Sequence, residues 1–198
     1  MKTYIEQIKD EMTESMSVKE LIIRNKNILT QIQEMIKICV STLSNKNKII
    51  FAGNGGSFSD AQHLSTEFVS RFRFDRMALA SIALGTNSSS MSAIGNDYGF
   101  ENIFARELES VAQKGDFFIP ISTSGNSKNI LKAVMCANKM KIQTFGMTGE
   151  TGGSLIDLCK CICVPSKDTA RIQESHILIG HIICGIVEKN FLKIVKSL

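Results

Sequence analysis

The chain has 198 residues, 43% of them hydrophobic and 21% charged, with 23 Lys+Arg against 19 Asp+Glu. That is the length of one domain with a sizeable core, and the charge content argues against general disorder. The net charge of +4 is scattered, with no Lys/Arg block of the kind that grips nucleic acid or a membrane surface. No apolar run reaches the roughly 18 residues of a membrane span. The charged, amphipathic opening MKTYIEQIKDEM does not resemble a secretory signal. The expectation is a cytoplasmic protein, one domain over residues 1–198, that binds neither nucleic acid nor membrane. Without an export signal, the six cysteines (Cys39, Cys136, Cys159, Cys161, Cys163 and Cys184) are expected as thiols.

In chain order, residues 1–47 read as helical. Apolar positions from Val18 to Leu43 keep a 3-4 spacing over more than three heptads, with Ser17 and Glu20 placed as a capping box at the start of that stretch. One long helix with so narrow a seam is expected to pack on another helix, such as one from a second subunit. Residues 48–198 then alternate. KIIFAGNGGS is a short apolar strand entering a glycine-rich turn, followed by a helix from Ser57 to about Phe72. MALASIALG reads as a strand, and residues 87–115 as loop and helix. DFFIPISTSGNS repeats the strand-to-loop device before the helix KNILKAVMCANKM. IQTFGMTG and LCKCICVP are two more strands; in the latter, Cys159, Cys161 and Cys163 alternate onto one face and read as small core residues. From Thr169 to Val195 runs a helix apolar nearly all round, expected to be buried in a core or a subunit interface. Apolar strands with little alternation, separated by helices, imply a parallel sheet covered on both faces.

Two strand-to-helix loops carry small polar residues: Gly53–Ser57 and Ser122–Ser127. At the carboxyl ends of parallel strands such loops line a ligand crevice, and a helix N-terminus there suits an anion such as a phosphate monoester. Either loop alone could be a plain tight turn. A dinucleotide fingerprint fails at Phe58, where G-x-G-x-x-G needs glycine, and no G-K-[ST] follows to make a P-loop. Of the three histidines, His63 lies four residues before Glu67 and so shares a helix face with it. That spacing suits two ligands of one metal, an acid/base pair, or a plain surface pair. The last helix carries Gln173, Glu174, His176 and His181 in an apolar stretch, where His181 is either functional or a hydrogen-bonded core histidine.

The segments GNGGSFSDAQHLSTEFVSRF, SAIGNDYGFENIF, ISTSGNSKNILKA, MTGETGG and VPSKDTARIQESHILIGH together resemble the motifs of the phosphoheptose isomerase family, whose chains carry a sugar isomerase (SIS) domain. The resemblance runs from about Lys48 through the last helix. It implies an α/β three-layer sandwich with a central five-stranded parallel sheet flanked by helices, flavodoxin-like, with long N-terminal helices. It also implies a homotetramer with active sites between subunits. The implied activity is isomerisation of sedoheptulose 7-phosphate to D-glycero-D-manno-heptose 7-phosphate through an enediolate, feeding lipopolysaccharide or capsule heptose. Carried over, Asn54, Gly55, Gly56, Glu67, Asn96, Asp97, Ser122, Thr123, Ser124, Ser127 and Gln173 would contact the sugar phosphate. Glu67 and His181 would be the acid/base pair, and His63, Glu67, Gln173 and His181 would hold one Zn2+ per subunit. Thr169 and Ala170 separate Asp168 from the Arg171 that it directly precedes in some relatives, so Asp168 is left without a role. Eight residues, about 12 Å of helix, lie between Gln173 and His181, so both must lean toward one ion.

Two other classes compete. Sugar isomerase domains also serve as binding modules, including relatives that bind the replication initiator DnaA and lack the acid and the late histidine. Glu67 and His181 are both present here, which favours the enzyme. A sugar-phosphate-sensing transcription factor would need a helix-turn-helix segment and a basic patch, and neither precedes residue 48.

Overall fold

The computed structural model describes residues 2–196. The N-terminal region is two helices, α1 (Tyr4–Arg24) and α2 (Lys26–Ser44), where the apolar spacing predicted one. Asn25 makes the joint. Its N–H donates to the carbonyls of Leu21 and Ile22, closing α1, while its side-chain oxygen accepts from the N–H groups of Asn27 and Ile28, opening α2. The 3-4 spacing persists across the joint because both helices feed one core, through Val18 and Ile22 of α1 and Ile28 to Leu43 of α2. The capping box falls elsewhere too: Thr3 and Glu6 exchange the two cap bonds, whereas Ser17 lies inside α1 with its hydroxyl on the Thr13 carbonyl.

Beyond α2 the chain alternates: β1 (Ile49–Ala52), α3 (Gly56–Val69), β2 (Ser81–Ala83), α4 (Ser88–Tyr98), α5 (Ile103–Val111), β3 (Phe117–Ser122), α6 (Lys128–Lys139), β4 (Gln143–Thr148), β5 (Lys160–Cys163) and α7 (Thr169–Lys196). The α3 helix stops three residues short of the expected Phe72, β2 is only three residues long, and residues 87–115 hold two helices rather than one. The five strands are all parallel in the order β2-β1-β3-β4-β5.

Both faces of that sheet are buried, which is why its strands read as continuous apolar runs. Phe51, Ile119, Met147 and Ile162 face α2, α3 and α7, while Ile50, Ala52, Phe118 and Cys161 face α5 and α6. Cys163 shares the face of Cys161, as strand alternation predicts, while Cys159 packs on the same face from the bend that precedes β5. Among the apolar residues of α7, Ile172, Ile179, Ile183 and Val187 are buried, but Leu178, Ile182 and Ile186 remain exposed on a single chain. In this strand order the chain reverses direction between β1 and β3, so the loops after them diverge and open a crevice at the carboxyl edge.

Candidate active site

The two glycine- and serine-rich loops lie on either side of that crevice, because β1 pairs directly with β3. They are tied together by side chains: the amides of Asn54 and Asn129 exchange two hydrogen bonds of 2.8 Å each. Asn129 sits buried in the first turn of α6 and was not singled out by the sequence; only its place after the second loop marks it. In that loop the hydroxyls of Ser122 and Ser127 lie 3.1 Å apart, and Ser127 stands at the N-cap of α6 without bonding into the helix. Within the first turn the Ile130 N–H is taken by the Asn129 side-chain oxygen, and the N–H groups of Lys128 and Asn129 face the loop as anion donors. Ser124 is exposed, its hydroxyl accepting from the Asn126 N–H. Beside Thr123 and Ser124 opens a cavity of about 260 Å³, walled also by Gly149, Glu150, Ser166 and Lys167.

Helix α3 starts at the first loop, with Gly55 at its cap in a positive-φ conformation (φ 54°) that favours glycine. Gly56 makes room for a neighbour: a Cβ there would lie 1.9 Å from the Gln173 amide nitrogen. The α7 side chain Gln173 thus rests on the turn that begins α3. The two helices run side by side from there, with Leu64 packed on Gly180 and Phe72 on Gly185. This parallel packing brings His63 and Glu67 to His181. The Nε2 atoms of His63 and His181 are 2.8 Å apart, and His63 Nε2 lies 3.2 Å from Glu67 Oε1. One donor atom from each of the three falls within 4.8 Å of the others.

A second set of residues, missed by the sequence reading, holds this cluster in place. After α3 the chain turns so that the N–H groups of Phe72 and Arg73 and the Nε of Arg76 all donate to the Glu188 carboxylate, at 2.8–3.0 Å. Arg76 and Glu188 are almost wholly buried, with side-chain exposures of 2% and 1%. The guanidinium also closes the end of α3, donating to the carbonyls of Glu67, Phe68, Ser70 and Met77. The Phe72 ring, fixed by this turn, stacks on the His181 imidazole with centroids 5.5 Å apart and planes 18° apart. Only the oddity of a glutamate in the apolar α7 could have flagged this network.

The remaining polar groups sort themselves. His176, not His181, is the core histidine: it is fully buried, its Nε2 is 3.1 Å from the Thr148 carbonyl, and burial pushes it down to about 4. Asp60, on the buried face of α3, is pushed up to about 6 by burial. Asp168 caps α7, its Oδ1 accepting the Arg171 N–H. Asn96 and Asp97 stand exposed at the end of α4, the Asn96 amide donating to the Asp97 carboxylate.

The comparisons point one way. The SIS domain profile matches residues 13–149. Phosphoheptose isomerase 2 of Campylobacter jejuni is 53% identical over 184 residues, 92% of each chain, and the phosphoheptose isomerase of Sulfurimonas denitrificans is 50% identical over 191 residues, 96% of each. The structure of a phosphoheptose isomerase from Neisseria gonorrhoeae superposes with a TM-score of 0.88 at 34% identity, covering 94% of this chain and all of that one. With likeness of that extent along nearly the full length of both partners, the chain belongs to the phosphoheptose isomerase family of SIS-domain proteins.

Proposed function

We propose that this isomerase, acting as one SIS domain over residues 1–198, converts sedoheptulose 7-phosphate to D-glycero-D-manno-heptose 7-phosphate in the cytoplasm, supplying heptose for lipopolysaccharide or capsule. The observation that carries the reading is the His63–Glu67–His181 cluster, held between α7 and the α3 helix that starts at the first glycine-rich loop. A ketose-to-aldose shift needs a base that takes the proton from C1 and returns it at C2, and a second group that moves the hydroxyl proton from O1 to O2. Glu67 is the first of these and His181 the second. The hydroxyls of Ser122, Thr123, Ser124 and Ser127, with the N-terminus of α6, hold the phosphate, which fixes C1 and C2 against Glu67. Asn54, Gly55 and Gly56 line the other side, and Gln173 reaches the sugar from α7. Asn96 and Asp97 serve a neighbouring subunit's crevice.

Two imidazole nitrogens and a carboxylate oxygen within 4.8 Å are a donor set that fits zinc, and Gln173 would complete it. A Zn2+ held there supplies a Lewis acid that polarises the carbonyl oxygen. Metal analysis of purified active protein is expected to find one zinc per subunit, removable by chelator together with activity. Active protein free of zinc would refute the metal assignment while leaving the acid/base roles intact.

The assembly proposed is a homotetramer. Its support is the apolar strip that one chain leaves open, formed by Leu29, Ile36 and Val40 of α2 with Ile182 and Ile186 of α7. Light scattering at micromolar concentration is expected to give a tetramer, and a species of 21.8 kDa would overturn it. The activity itself is tested by incubating the protein with sedoheptulose 7-phosphate and zinc and following the aldose by NMR. No product would transfer the assignment to a binding module.

A further inference from the structure

Beyond the reaction, the structure carries a second chemically distinct pair. Cys159 and Cys161 flank the start of β5 with their sulfurs 3.8 Å apart, hydrogen bonded to each other. Gly146 of the neighbouring β4 makes the space they occupy. A Cβ on Gly146 would lie 3.0 Å from the Cys161 sulfur and 3.5 Å from the Cys159 sulfur. The chain bends there, the Cys159 N–H donating to the Leu155 carbonyl, so Cys159 is not in extended strand. Cys161 is buried at 5% exposure, while Cys159 is only half-buried and is the more open of the two.

We propose that Cys159 and Cys161 form a reversible redox site, closed to a disulfide by a low-molecular-weight disulfide such as oxidised glutathione. Closure requires the sulfurs to move from 3.8 Å to about 2.05 Å, which side-chain rotation and a small shift at the bend supply. In the first step the Cys159 thiolate attacks one sulfur of the small disulfide, forming a mixed disulfide and releasing one thiolate. In the second the Cys161 thiolate attacks the Cys159 sulfur and releases the other. The protein gives up two electrons, the small disulfide is reduced to two thiols, and the two cysteine protons end on those thiols. The order of attack follows from the surroundings. The hydrogen bond from Cys161 lowers the Cys159 thiol, and that same bond, with burial, raises Cys161. The other four thiols are raised, each chiefly by burial. A disulfide across a single intervening residue is a strained ring, which makes it labile to reductant rather than a structural staple.

The site lies at the amino end of β5, whereas the crevice opens at the carboxyl ends of the strands, so the two chemistries are separately testable. Native protein incubated with oxidised glutathione is expected to lose the mass of two hydrogens, to yield a peptide with Cys159 and Cys161 joined, and to revert with dithiothreitol. Cys161→Ser is expected to stop at one glutathionyl group on Cys159. Six free thiols after that treatment, a persistent adduct on the wild type, or a disulfide mapped to any other pair would overturn the proposal. The peptide map of the wild type decides the matter even if the variant fails to fold.

Discussion

On replacing Glu67 by Gln, turnover of sedoheptulose 7-phosphate is expected to fall by roughly 10²–10⁴-fold, the usual worth of a positioned general base. The substitution keeps the shape of the side chain and its 3.2 Å approach to His63 Nε2, but removes the group that accepts the carbon-bound proton. His181→Gln is expected to act similarly through the hydroxyl proton. Since Glu67 is also a proposed zinc ligand, metal content must accompany the rates. A slow variant with full zinc assigns the loss to proton transfer, whereas a slow variant without zinc assigns it to metal binding. Turnover at the wild-type rate would refute the mechanism.

Glu188→Gln is expected to be the most destabilising single change in the framework of the site. It leaves the Arg76 guanidinium charged, buried and without its counter-ion, at a cost of about 3–5 kcal/mol. In a chain of this length that amounts to roughly 10 °C in Tm by calorimetry. The turn that Glu188 holds carries Phe72 onto His181 and Arg76 onto the Glu67 carbonyl, so activity should drop even well below the melting range. A Tm within a degree or two of the wild type would show that the pair is not the anchor described above.

These two glutamates mark what the sequence makes legible. Glu67 was visible because helix geometry alone puts it beside His63, and the glycine loop before it announces a strand end. That His181 completes the cluster depends on α3 and α7 lying parallel with Gly180 against Leu64, a tertiary fact with no local signal. Glu188 was hidden for the same reason: its three donors come from residues 72–76, far off in sequence. The sheet was readable because double burial strips its strands of alternation. The break at Asn25 was not, since the apolar spacing on either side serves one core and continues in phase. Ser17 misled because a capping pair in the sequence acts only where a helix actually starts, and Thr3 and Glu6 take that place. The apolar edge of α7 reads in the sequence as core or subunit interface without a choice between them, and a single chain leaves Leu178, Ile182 and Ile186 exposed.

The joint at Asn25 also sets how the molecule can come apart. Because Asn25 ends α1 with its N–H and begins α2 with its side chain, α1 can detach as a cooperative unit while the cap that opens α2 stays in place. It buries only Val18 and Ile22, and is otherwise held to α7 by Glu11 on Arg171 and by Ser15 and Lys19 on Glu174. Those two anchors stand on either side of Gln173 along α7. Detachment of α1 would therefore slacken the stretch of α7 that rests on the Gly56 turn. If Gln173 bears on the bound sugar, thermodynamic linkage makes the effect mutual: ligand in the crevice tightens the grip on α1 by the same factor that a secured α1 tightens the ligand.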